Sequence, residues 1–129
     1  MPASTAVVNT GRAIITSRLI GTTTGVPHHV AWGTSSTGVA LTDTTLTEPG
    51  EARTLGTGTQ TTTTTSLDTL NVTGTIVATG TRTIAEAGLF TASSGGSLFV
   101  RGVLAATISV ASGDSVAFTF NVQITSAVV

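Results

Sequence analysis

The clearest pattern in the chain lies near its C-terminal end. Val116, Phe118, Phe120, Val122 and Ile124 alternate strictly with Ser115, Ala117, Thr119, Asn121, Gln123 and Thr125. Period two puts each set on its own side of a pleated strand, so this segment predicts one buried and one polar face. Ser112-Gly113-Asp114 is a turn signal, and Thr107 to Val110 before it predicts a partner strand in a hairpin. Leu98 to Leu104 predicts another strand with apolar residues on both faces and Arg101 on the less apolar one. Leu70, Val72, Ile76 and Ala78 share one parity of a further strand, with Thr69, Asn71, Thr73 and Thr75 on the other. Gly74 in its middle points to a bulge or a close backbone approach. Arg82 to Phe90 continues after the Thr79-Gly80 break.

The first half is less regular. Gly11 and Gly21 bracket a segment in which Ile15 and Leu19 are four apart, which predicts a short helix near 12–20, with a strand as the alternative. Residues 22–27 form a loop, His29 to Gly33 a short strand, and Ser35 to Gly50 a long surface loop with a turn at Pro49-Gly50. The Thr61–Thr65 run fits an edge strand or a loop equally well. The expected architecture is all-β, a β-sandwich or small β-barrel with at most one short N-terminal helix. Residues 1–12 are expected to be an N-terminal arm ordered only against a partner, and 13–129 a single β domain. Leu70, Val72, Ile76, Leu89, Phe90, Phe118, Phe120 and Val122 are the expected core.

Composition supports this. The chain holds 30 Thr, a β-branched residue suited to pleated surfaces and mediocre in helices. Disordered chains pair low hydrophobicity with high net charge, and here the net charge is −1 with 40% hydrophobic residues. No apolar run approaches the ~20 residues that span a bilayer, and no secretory signal is visible, so the expectation is a soluble protein made in the cytoplasm, without membrane contact. The basic residues are five scattered Arg without a single Lys, which gives phosphate backbones no electrostatic stripe and excludes nucleic acid as the expected partner. With no Cys, disulfides and thiolate metal sites are ruled out.

Candidate chemistry is sparse. His28 and His29 point to opposite sides if extended, so one shared metal would need a bent loop plus Asp43 or Glu48; an ordinary loop pair is the simpler reading. Glu48, Glu51 and Glu86 are carboxylates without a supporting nucleophile motif, and Glu51 with Arg53 predicts a local ion pair on one strand face. Gly56-Thr57-Gly58 lacks the Lys of a phosphate-binding loop. Asn71-Val72-Thr73 fits a glycosylation acceptor only by accident without a signal segment. Trp32 is either a sugar-stacking platform or, more simply, an anchor in the core or a subunit contact. No catalytic residue, metal or cofactor is expected, and the chain is not read as an enzyme.

Three segments together resemble a family of small virion structural proteins of tailed bacteriophages. The first is Ala31-Trp32-Gly33-Thr34, then Leu41-Thr42-Asp43-Thr44-Thr45-Leu46-Thr47-Glu48 and Arg53. The second is Thr81-Arg82-Thr83-Ile84-Ala85-Glu86-Ala87-Gly88-Leu89-Phe90. The third is Gly95-Gly96-Ser97-Leu98-Phe99-Val100-Arg101, leading to Gly113-Asp114 and the final strand. The similarity runs from about Ala13 to Ile124, with departures at Ala85 and in the long Thr run. Glu86 is expected to find an Arg partner, Arg82 or Arg101, and Asp43 to form a local turn.

The resemblance implies a particle component located in the virion. The leading expectation is a capsid decoration (cement) protein that binds the major capsid protein and bridges capsid subunits. A tail, collar or fibre protein with possible host-glycan contact is one alternative, and a carbohydrate-binding module another. Candidate partner contacts are Trp32, Arg12, Arg18 and Arg53. Long uncharged stretches at 54–67 and 102–113, without edge-guarding Lys, further predict a homotrimer.

Overall fold

The computed structural model describes residues 4–22 and 25–128. Two antiparallel sheets and one short helix account for its regular structure. In chain order the elements are β1 (Ser4–Val7), α1 (Asn9–Leu19), β2 (His29–Gly33), β3 (Thr54–Leu55), β4 (Thr57–Thr61), β5 (Thr69–Val77), β6 (Arg82–Phe90), β7 (Leu98–Val110) and β8 (Ser115–Gln123). The larger sheet has the order β1-β7-β6-β2-β3 and the smaller one β4-β5-β8, so this is the all-β, sandwich-like fold with a single short helix that the sequence predicts.

The chain passes from one sheet to the other at Gly56. Its amide donates to the His28 carbonyl at 2.7 Å, and a side chain there would run into the Thr73 carbonyl. Between the sheets, Val30, Trp32, Val72, Ile76, Ile84, Leu89, Phe118 and Phe120 form the main core. Trp32 and Phe118 meet edge to face with centroids 6.4 Å apart, an arrangement favoured by the ring quadrupoles. Gly74 is a close approach and not a bulge: the β5–β8 register runs unbroken from Thr69↔Gln123 to Val77↔Ser115, and Val30 packs onto the bare α-carbon. Of the expected core, Leu70 and Val122 are only partly buried; the other six are buried.

Several expectations change. Residues 107–110 and β8 do not form a hairpin: 107–110 belong to β7 in the larger sheet, while β8 pairs with β5 across the core. The Ser112-Gly113-Asp114 turn is therefore a crossing between sheets, held by bonds between Ala78 and both Gly113 and Asp114 at 2.8 Å. The physical reason is the apolar face of β8, which faces Trp32 only from the opposite layer. The helix starts at Asn9, and Ser4–Val7 pairs with Val100–Val103 of β7. Residues 4–12 thus belong to the domain instead of forming an arm, while residues 1–3 lie outside the described ones.

Over Leu98–Val103 β7 is buried on both faces, which is why both are apolar there. The inner face meets the core, and the long loop 34–50 covers the outer face, where Leu46 joins Val8, Ala31, Phe90 and Leu98 in a second cluster. Opposite Ala85, between the pairs Ile84↔Ile108 and Glu86↔Val103, β7 bulges through Leu104–Thr107. Thr61 ends β4; the rest of the Thr run is a turn gathered around Asp68, which accepts from the amides of Thr63, Thr64 and Thr65.

Candidate functional site

Residues from each of the three familiar segments, Asp43 and Thr47, Glu86, and Arg101, meet around one buried carboxylate. Glu86 on β6 is 1% exposed. Its Oε1 accepts from Arg101 Nε at 2.8 Å, and its Oε2 accepts from the amides of Ser35 at 3.0 Å and Thr47 at 2.9 Å. Arg101 on β7 also donates to Asp43 at 3.0 Å and to the carbonyls of Thr37 and Gly38. A buried ion pair therefore grips both ends and the middle of loop 34–50. Gly33 is required below it, because any side chain would occupy the space of the Glu86 carboxylate. Gly88 likewise lets the Val100 carbonyl and Leu46 lie close.

Two further ion pairs continue this framework. Arg53 makes two 3.0 Å bonds to Glu48, reaches the carbonyls of Ala92 and Gly95, and lies 3.5 Å over the ring of Phe90. Glu51 binds Arg82 at 3.2 Å, Thr79 at 2.9 Å and the Trp32 indole N–H at 3.1 Å. The expected Glu51–Arg53 pair does not form: Arg53 instead turns toward Glu48 and the 92–95 turn, and Glu51 toward Arg82. Burial alone raises the pKa of Glu51, but the Arg82, Thr79 and Trp32 bonds outweigh it and hold the group below its ordinary value. Asp114 accepts from the Ala111 amide. All six carboxylates of the chain are thus committed to bonds within the fold.

The candidate partner contacts divide in two. Trp32 is 1% exposed, so the sugar-stacking reading fails because its ring lies in the core, and the half-buried Arg53 has its guanidinium committed to Glu48, Ala92, Gly95 and Phe90. Arg12 and Arg18 occupy exposed positions on α1, near the exposed Leu19 and Ile20 at its end. His28 packs against Gly58, and its pKa is lowered by burial first, then by His29 and Arg18. Among the described residues no group of His, Asp and Glu is arranged to hold a metal ion.

The surface feature that sequence reading missed is a groove beside β8. Among the described residues the larger sheet has five strands over the smaller one's three, and β8, an edge strand, pairs only with β5. Part of the inner face of β7 and β1 is left without a strand opposite. An apolar groove of about 310 Å³ results, lined on one wall by Phe118, Phe120 and Val122 and on the other by Val100, Leu104 and Thr5. No lining residue is charged. Nothing local in the sequence marks it, because it arises from unequal strand numbers in two sheets. Compared with known proteins, the chain matches no family model, no curated protein and no solved structure.

Proposed function

We propose that this chain is a structural packing subunit of a tailed-phage particle, and within that class a capsid decoration protein that bridges neighbouring capsid subunits. The observation that carries this reading is the nine-residue β8 edge, free of charge and of Lys and Pro, with the apolar groove behind it. Soluble proteins that work alone guard such edges, because an open strand recruits others. Here Arg53, Arg82 and Arg101 are held in ion pairs within the fold with Glu48, Glu51, Asp43 and Glu86, and the exposed surface is mostly Thr, Ser, Gly and apolar side chains with few charges such as Arg12, Arg18 and Asp114. Such a surface adheres by shape, strand pairing and apolar burial, with little electrostatic steering. A homotrimer is the assembly that suits a three-fold lattice position.

The resemblance in the Asp43, Glu86 and Arg101 segments supports the phage setting. The burial of Trp32 removes the main support for a glycan-binding module. The test is the copy number of this chain in purified particles, with its position imaged by electron microscopy. A number close to that of the coat protein, on the outside of the head, is the expected result. A few to some tens of copies on the tail would overturn the decoration role.

A further inference from the structure

We infer that the groove beside β8 is an acceptor site for one extended strand of a partner polypeptide, uncharged and apolar at alternate positions. This deepens the packing-subunit reading by naming what the working surface holds, and depends on it only for where that strand comes from.

The smaller sheet is short of strands for the face it must cover. The three-stranded sheet ends at β8, whose far side carries no strand partner among the described residues, while β7 and β1 continue above open space. One more strand beside β8 would take its free N–H and C=O groups and lie beneath β7 and β1. Strand side chains alternate at period two, so every second residue of the newcomer points into the groove, between Phe118, Phe120 and Val122 below and Val100 and Leu104 above. Gly102 and Ala87 present little side-chain bulk along the groove, where Thr5 covers the bare α-carbon of Gly102. The outward residues of that strand would sit beside Thr119 and Asn121, which are exposed and polar.

Charge decides what fits. No residue lining the groove is charged, so an inward Asp, Glu or Lys would lose water and gain no counter-charge, whereas Val, Ile, Leu or Phe gains burial. Geometry decides between a strand and a whole second copy. Pairing β8 with β8 of a copy would carry the copy's five-stranded sheet into the space that β7 and β1 already overhang. A lone extended segment has no second layer and meets no such obstacle. The chain's own residues 124–128 do not serve, since they continue from β8 without a turn.

The probe is a synthetic peptide of alternating Thr and Val, seven residues long with Lys pairs at both ends, and a control with Asp in place of each Val. Binding is read by Trp32 fluorescence, because Trp32 touches Phe118 in the groove wall, and by hydrogen exchange of the β8 amides. The Val peptide is expected to slow exchange along 115–123 and to bind at least about tenfold more tightly than the control. Ala105→Lys places a charge at an exposed position on the rim and Leu104→Lys one in the wall, and each is expected to abolish that preference. Circular dichroism of both variants identifies any loss due to unfolding, and Ala105→Lys, on the surface, keeps the test decisive if Leu104→Lys does not fold. Equal binding of both peptides, protection at β1 or β4 instead of β8, or a concentration-dependent dimer that protects β8 without peptide would each overturn the proposal. Failure here leaves the particle copy number untouched, so the two readings fall separately.

Discussion

Replacing Glu86 by Ala removes one carboxylate and with it the organisation of an entire loop. The Arg101 guanidinium, with 4% of its side chain exposed, keeps Asp43 and two carbonyls but loses its closest partner, while the Ser35 and Thr47 amides lose their acceptor. Breaking a buried ion pair from one side typically destabilises by about 3–5 kcal/mol, because the other charge remains uncompensated. Each abandoned amide adds ~1–3 kcal/mol where water cannot reach it. Loop 34–50 is largely exposed, so water replaces part of what is lost, and the net expectation stays at about 3–5 kcal/mol. For a domain of this size that corresponds to a drop in Tm of roughly 10–20 °C. Thermal or urea unfolding gives the number, and hydrogen exchange should show residues 34–47 losing protection while β5 and β8 keep theirs. In a double-mutant cycle with Arg101→Met, the two losses should fall short of additivity by about 1–3 kcal/mol. A loss below about 1 kcal/mol for Glu86→Ala, with the loop still protected, would refute the role assigned to the pair.

Phe120→Ala should destabilise by about 3 kcal/mol, the low end for a buried Phe because one side of its ring borders the open groove; an unchanged denaturation midpoint would contradict the β8 face assignment. Arg53→Lys should lose about 1–2 kcal/mol, since an ammonium cannot reproduce the two-toothed bond to Glu48 or the stacking on Phe90, and a thermal melt checks it. Stability should also fall with acidification in two ranges. The His28 pKa is lowered on folding, so its contribution is complete above the unfolded value near 6.5 and is lost as pH falls from there toward the folded one; His28→Gln should remove that limb of a Tm-against-pH curve. Asp68 is held far below the ordinary carboxylate range by the Thr65 and Thr63 amides, so its contribution is present above the unfolded value near 4 and declines only in stronger acid; Asp68→Asn should flatten that second limb.

What could be read directly from residues was whatever depends on local periodicity. The alternation at 115–123 and 69–77 marked β8 and β5 and their buried faces, since a pleated strand must put every second side chain on one side. The spacing of Ile15 and Leu19 located α1 to within a turn, though its start at Asn9 was hidden because Val8 provides no side-chain cap. The Glu86–Arg101 pairing was one of two choices open to the sequence, and only the β6–β7 register, which sets Gly88 against Arg101, brings the pair into reach. The partners of Arg53 and Glu51 were misassigned for the same reason: spacing along a chain says nothing about Arg82, thirty-one positions from Glu51. Pairing of β8 with β5 instead of β7, the covering of the larger sheet by loop 34–50, and the groove beside β8 all depend on which strands end up neighbours. Those outcomes are fixed by how two unequal sheets share one core, a property of the assembled layers that no single stretch of the chain contains.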